Sequence, residues 1–286
     1  MDAALTVTVL GAGYASLFVL ERVLPLRRAK AHLLRRIPIN VAISAAAFAA
    51  AAILVQPAAA ATLRFTESAS FGLIRLAGLS GPWEIIAAFL MLDLTFYYWH
   101  VANHRIDFLW RFHNVHHIDP DLDVSTSFRL HFVEVALSAG FRAVQVVVIG
   151  PSVLAYVVYG IAFELGTLFH HSNVRLPSSS ERALNKALVT PRMHGIHHSD
   201  IREENLANFG VVFPWWDKLH GTLRLNVPQR AVTIGIPGYA RPTDNRILDC
   251  FAMPFRPQRQ YWRGSHGMQV RREPATPAAG RNRLAA

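Results

Sequence analysis

The sequence predicts an all-α integral membrane protein with about four transmembrane helices or hairpins and a cytosolic, histidine-rich helical cap. Three observations carry that reading. Hydrophobic residues make up 52% of the 286 and charged residues only 17%, too apolar for a disordered chain or an ordinary soluble globule. The apolar residues fall in long uncharged runs, and a helix needs about 20 of them to cross the hydrocarbon of a bilayer. Most of the 14 histidines stand in clusters at or beyond the ends of those runs. The excess of 29 Lys and Arg over 19 Asp and Glu, formally +10, suits anionic headgroups or an acidic protein, and the apolar runs favour a membrane over nucleic acid. A single cysteine, Cys250, excludes an internal disulfide and any Cys-based zinc cluster.

Residues 3–20 and 37–63 contain no charged side chain and read as two spans. The first lacks a basic leader, and Glu21, Arg22 and Pro25 stand where a small-residue cleavage site would fall, so it reads as an uncleaved helix. Residues 83–104 are apolar apart from Glu84 and Asp93, with Phe96, Tyr97, Tyr98 and Trp99 as an interfacial belt. Residues 132–169 are broken only by Glu134, Arg142 and Glu164, and Gly150-Pro151 turns them into a helical hairpin. The loop 22–36 carries six basic residues, against Arg64 and Arg75 alone in the loop after the second span. The positive-inside rule therefore puts the first loop in the cytoplasm, and counting crossings puts 105–129 and everything after 169 on the same side. The expected division is N-terminal spans and basic loop in 1–82, a catalytic region in 83–225 and a basic, Pro-rich tail in 226–286. With nine Arg and five Pro, 241–286 is expected to be loosely ordered and to face lipid rather than to bind nucleic acid.

The stretch Gly11-Ala12-Gly13-Tyr14-Ala15-Ser16 has the look of a dinucleotide-binding turn, but Ser16 holds the third glycine position and no βαβ unit follows. Small residues packing a membrane helix explain it better.

The histidines are less easily dismissed. His100 and His104, then His113, His116 and His117, then His194, His197 and His198 form three boxes at spacings of three and four, which put imidazoles on one helix face. His131 and the pair His170-His171 lie at the two mouths of the apolar hairpin. Taken singly, His32, His220 and His266 read as ordinary surface or core residues. The boxes do not, because packed imidazoles without a shared partner repel once protonated and compete for donors. Imidazole-rich, thiolate-free sites suit iron, zinc, copper or nickel, and ten candidates exceed what one ion can use, so two ions follow. Asp93, Asp107, Asp119, Glu134 and Glu164 are candidates to orient the rings. Zinc would favour hydrolysis and iron the oxidation of unactivated C–H bonds with dioxygen. Boxes abutting membrane helices favour the second, since acyl chains and polycyclic lipids offer little to hydrolyse.

The segments Tyr98-Trp99-His100 with His104, Leu109-Trp110-Arg111-Phe112-His113-Asn114-Val115-His116-His117, Asp121-Leu122-Asp123-Val124-Ser125-Thr126, His171-Ser172-Asn173, Thr190-Pro191-Arg192-Met193-His194-Gly195-Ile196-His197-His198 and Trp216-Asp217-Lys218-Leu219-His220-Gly221-Thr222 resemble, in order, the fatty acid hydroxylase/sterol desaturase superfamily. The resemblance spans residues 91–222. It implies a cytosolic dimetal centre, usually di-iron, that hydroxylates or desaturates a membrane lipid with O2. It implies His100, His104, His113, His116, His117, His194, His197 and His198 as ligands, with His131 and His171 as two further ones. Val101 stands where many members have Arg, Phe132 follows His131 where Pro is usual, and His170 duplicates His171. With no haem- or flavin-binding module recognisable, electrons are expected from a separate ferredoxin-like or cytochrome-like protein. The rival readings are a zinc-dependent membrane hydrolase and a metal-binding or transport protein. Against the transporter, the boxes sit at helix ends and Arg142 would repel a cation at mid-membrane.

Overall fold

The computed structural model describes residues 3–264 and 267–272; His266 and the end of the tail lie outside them. Among the described residues the chain is helical, with only isolated β-bridges. Five helical elements are long and apolar enough to cross a membrane. Helix α1 (Ala3–Val23) is the first. The second is longer than the uncharged run 37–63: α2 (Leu33–Ala50) passes through a π-turn at Ala51–Val55 into α3 (Gln56–Ser68), roughly 50 Å at 1.5 Å per residue. Pro57, which has no N–H to give and crowds the preceding turn, stands just after the bulge and accounts for it. After the short α4 (Leu73–Leu76) comes α5 (Gly81–Arg105), and after α6 (Asp107–His117) come α7 (Phe132–Ile149) and α8 (Val153–His171).

Gly150 ends α7 in the left-handed conformation at φ 68°, and a Cβ there would lie 2.5 Å from the Phe71 carbonyl oxygen, so the turn needs glycine. Only residues 150–152 join α7 and α8; α7 packs mainly on α2 and α3, α8 on α1 and α10, and α5 packs against both. The remaining helices are short and lie beyond the ends of the spans: α9 (Ser178–Leu184), α10 (Pro191–His197), α11 (Arg202–Asn205), α12 (Trp215–Leu219) and α13 (Ile247–Ala252).

The basic loop 22–36 is docked onto this cap. Arg36, buried, donates to both carboxylate oxygens of Asp119 at 2.7 and 2.8 Å and to Asp123 at 2.6 Å. Asp121 accepts from the backbone N–H of Lys30 and Ala31, each at 2.8 Å, and Glu21 from those of Val124 and Asn173. Asn173 closes the seam, its side chain pairing with both the N–H and the carbonyl of Arg27. The acidic run after the second histidine box is thus structural. Burial alone would raise the Asp119 carboxyl, but the Arg36 and Arg129 guanidiniums hold it well below the usual carboxylate range.

The tail departs from expectation. Tyr239, Cys250 and Met253 are buried in one cluster with Trp110, Val115 and Ile118, and Tyr261 and Trp262 pack against it. Arg129 reaches the same segment, donating to Asn245 at 2.7 Å. Residues 241–264 are therefore part of the fold, held by a few aromatic and apolar anchors spaced among its arginines and prolines.

Candidate metal centre

A sharp corner brings the first two boxes together. Ile106, in extended conformation, is the single residue between α5 and α6. His100 and His104 occupy one face of the last turn of α5, and His113, His116 and His117 one face of α6. The third box is on α10, whose start is set by Pro191 in the first turn and by the Thr190 hydroxyl capping the Met193 N–H. His198 is the residue that ends this helix.

Two groups of imidazoles result. His100, His104, His113, His117 and His197 form one, and His116, His171, His194 and His198 the other, with the ligand atoms of each group all within 4.8 Å of one another. Within the groups the Nε2 atoms of His113 and His117 are 3.2 Å apart, those of His116 and His171 3.0 Å, those of His171 and His194 3.0 Å and those of His194 and His198 3.2 Å. Ligands about 2.1 Å from one ion and at right angles to each other lie about 3 Å apart, so the spacing fits a shared cation. The groups are neighbours, with the rings of His117 and His198 stacked at 4.2 Å.

All nine rings are at most 9% exposed. Burial first, then the neighbouring imidazoles, hold His116, His117, His194, His197 and His198 well below the ordinary histidine range. Neutral rings keep a lone pair for a metal. The Nε2 atoms of His104 and His197 are sealed from solvent with no hydrogen-bond partner, a loss of about 1–3 kcal/mol each unless something accepts their lone pairs. The donor set fits a pair of first-row transition-metal ions, and it contains no carboxylate.

The outer nitrogens show how the rings are aimed. His113 Nδ1 lies 2.7 Å from Glu134, His100 Nδ1 2.8 Å from the Phe209 carbonyl, His197 Nδ1 2.8 Å from the Ala207 carbonyl and His171 Nδ1 2.9 Å from the Thr167 carbonyl. The buried Asn205 side chain bridges the Nδ1 atoms of His104 and His117, at 3.0 and 3.2 Å, and donates to the His197 carbonyl at 2.9 Å. The carbonyls of Ala207 and Phe209 belong to a turn in which Asn208 adopts φ 60°. Asp217 fixes that turn by accepting from the N–H groups of Phe209 and Gly210 at 2.8 and 2.7 Å, and Gly210 lies so close that a Cβ would be 2.7 Å from the Phe213 carbonyl oxygen. The motif ending in Asp217 and Thr222 thus positions two ligand rings without touching the ions.

Of the ten histidines predicted as ligands, nine are brought together and His131 is not. Its ring caps α7, accepting from the Val133 N–H at 3.2 Å, and its Nε2 faces the Phe251 carbonyl. That position, set by the helix start, turns it away from both groups. His171 is in the second group, whereas His170 Nδ1 is turned to the Val211 carbonyl. Of the candidate carboxylates Glu134 alone orients a ring; Asp93 instead accepts from Trp216 and from the Val212 and Phe213 backbone, and Asp119 serves the arginine network. Asn205 does not sit at box spacing, and its signal in the sequence is the run Asn205-Leu206-Ala207-Asn208-Phe209-Gly210 just after the third box; Asp217 lies in the Trp216–Thr222 segment of the resemblance, which gives it no role. A cavity of about 720 Å³ reaches His104 and is bordered by Arg105, Arg202 and Arg263, one acid, Asp107, and the rings of Trp110 and Trp262.

Comparison with known proteins agrees with this geometry. The fatty acid hydroxylase family model matches residues 85–222. The chain is 28% identical over 156 residues to an ornithine lipid hydroxylase of Rhizobium tropici, covering 54% of this chain and 46% of that protein. It is 29% identical over 144 residues to the alkylglycerol monooxygenase of Homo sapiens, 49% of this chain and 31% of the relative. It is 28% identical over 150 residues to the human cholesterol 25-hydroxylase, 51% and 54% of the two chains. The chain thus spans about a third to a half of the length of the curated relatives it matches. No solved structure matches it. With the boxes in order and their rings gathered into two adjacent groups, residues 85–222, a little under half of the chain, resemble the fatty acid hydroxylase family.

Proposed function

We propose that this protein is an O2-dependent oxidoreductase that hydroxylates or desaturates a C–H bond of a membrane lipid at a histidine-held pair of iron ions. The observation that carries the reading is the convergence of nine buried imidazoles into two adjacent groups at the ends of apolar helices. The relatives named above are a hydroxylase of an ornithine lipid, a monooxygenase of alkylglycerol and a hydroxylase of cholesterol, which supports a lipid as substrate. His100, His104, His113, His117 and His197 would hold one ion and His116, His171, His194 and His198 the other. Iron bound there supplies activation of dioxygen for C–H oxidation, whereas zinc would supply a hydrolytic water.

The protein's own residues do the rest. Glu134, Asn205 and the carbonyls of Ala207 and Phe209 fix the rings, so little reorganisation accompanies binding. Phe209, packed against His100, His104 and His197, and Trp110, against His104 and His117, exclude water from the first group. A lipid reaches the centre from the side of the spans. Electrons come from a separate ferredoxin-like or cytochrome-like protein, and the mouth with Arg105, Arg202 and Arg263 suits an acidic one. The docking of the basic loop 22–36 onto the cap supports a cytoplasmic position for the whole centre.

The test is metal analysis of the purified protein, followed by reductant-dependent O2 uptake with a lipid extract and mass spectrometry of the products. Iron with lipid products that gain one oxygen or lose two hydrogens is expected. Zinc with no O2 uptake under any reductant would point to a hydrolase, and bound metal with no turnover to a metal-binding protein. High salt should slow turnover driven by the donor protein and leave turnover with a chemical reductant unchanged; identical salt profiles would remove the donor argument.

A further inference from the structure

Two ionisable side chains within the spans take no part in the histidine centre or in the cap networks: Arg142 on α7 and Glu164 on α8. The Arg142 guanidinium lies over the rings of Phe96, at 4.7 Å, and Phe163, at 5.2 Å. It is within electrostatic reach of Glu164, yet among the described residues the two form no ion pair, and neither side chain makes a hydrogen bond. Both are half-buried, and their polar atoms are not among those sealed off from solvent, so they open onto accessible space.

Along their helices these residues stand on the span side of the histidine centre. Glu164 precedes His171 by seven residues, two turns, and so shares its face of α8 about 10 Å along the helix. Phe96, under Arg142, stands one turn before His100 on α5. One turn beyond Glu164, on the same face, is Gly160, where an added Cβ would meet nothing within 4 Å. Helix α5 packs against both α7 and α8, with Phe96 between Phe141 and Phe163, so the open space at this level is the side of α8 that carries Gly160 and Glu164.

Opposite charges held in apolar surroundings without direct pairing are costly, and an ionisable residue inside a membrane marks a functional site. A guest that accepts from the guanidinium and donates to the carboxylate relieves both. A hydroxyl does so. An ether accepts only, a carboxylate or phosphate is repelled by Glu164, and an ammonium by Arg142. We propose that Arg142 and Glu164 form a hydroxyl-recognition site in the substrate chamber. It selects lipids with a free alcohol and sets which carbon, about 10 Å from that alcohol, faces the histidine centre. The proposal rests on the oxygenase reading above.

The test uses the full chain in detergent, stripped of metal with a chelator, and measures binding of hexadecanol and of its methyl ether by quenching of tryptophan fluorescence. The wild-type protein should bind the alcohol about tenfold or more tightly than the ether, as for a lost hydrogen bond to a charged group. Arg142→Gln and Glu164→Gln should each abolish most of that preference while leaving ether binding and the thermal melting point close to wild type. Gly160→Leu, which fills the space, should weaken both ligands together. No preference in the wild-type protein, an undiminished preference in both Gln variants, or unchanged binding by Gly160→Leu would each overturn the proposal. Because binding is read without metal, a clear alcohol preference with no O2 uptake in the loaded protein would sink the oxygenase reading and leave this site standing. Turnover without alcohol preference would do the reverse.

Discussion

Replacing Asn205 with leucine tests whether the ring geometry is built by the protein before any ion arrives. The side chain is fully buried and contacts three groups of the first histidine cluster: His104 Nδ1 at 3.0 Å, His117 Nδ1 at 3.2 Å and the His197 carbonyl at 2.9 Å. Leucine is close in volume, so the change removes hydrogen bonds rather than opening a cavity. His104 Nδ1, His117 Nδ1 and the His197 carbonyl are left without their partner, at about 1–3 kcal/mol each. Loss of such an outer contact typically lowers metal affinity by about 10- to 100-fold. The assay is a chelator titration of the loaded protein with metal analysis of what remains, alongside thermal melting of loaded and stripped samples. Two results are expected: a lower melting point in both states, and a smaller rise on adding metal in the variant, because tight binding to the native state raises stability by mass action. If Asn205→Leu lost stability but held metal as tightly as the wild type, the claim that this residue aims the rings would be wrong.

Three further outcomes follow from the same geometry. His197→Ala should lower metal content and abolish turnover while leaving membrane insertion intact, since His197 sits in the five-membered group and outside the spans; full retention of metal and turnover would remove it from the ligand set. The Asp119 carboxyl is held low by Arg36 and Arg129, so its contribution is complete above the unfolded value near pH 4 and fades as the pH falls toward the folded value. Melting curves of Asp119→Asn should therefore show a lower melting point at neutral pH and a flatter acid limb than the wild type, and parallel acid limbs would contradict the assignment. Truncation after Pro242 removes Cys250, Met253, Tyr261 and Trp262 from the cluster around Trp110 and should cost several kcal/mol or prevent folding, read as loss of monodisperse protein in detergent; an unchanged melting point would show that the segment contributes nothing.

What could be read from the sequence was set by two periodicities. Apolar runs of span length located the membrane helices, and spacings of three and four put His100 with His104, His113 with His116 and His117, and His194 with His197 and His198 on common faces. Both signals are local and survive without knowledge of the fold. His131 is a ligand only by the resemblance, and a motif match does not say where a ring points: the start of α7 turns this one away from both groups. Asn205 is hidden because one amide aiming two rings leaves no periodic trace, and Asp217 shows only as part of a motif because its work on the loop backbone needs the fold to be seen. The stretch 241–264 was masked by its composition: arginines and prolines dominate the average, whereas Cys250, Met253 and Tyr261 decide the packing.

The salt-bridged seam between Arg36 and the Asp119–Asp123 run has a consequence for engineering. The N-terminal segment preceding the family-matched region is not an interchangeable membrane anchor, because it supplies Arg36, which together with Arg129 neutralises acids buried in the histidine-bearing half. Grafting residues 85–222 behind the leading helices of a distant relative would leave Asp119 with Arg129 alone and Asp123 without its arginine unless one arrived at the same register, and breaking a buried ion pair costs about 3–5 kcal/mol. Chimeras should therefore be cut so that 21–36 travels with 119–126, and coevolution of these two stretches is the pattern to seek when swapping parts between related chains.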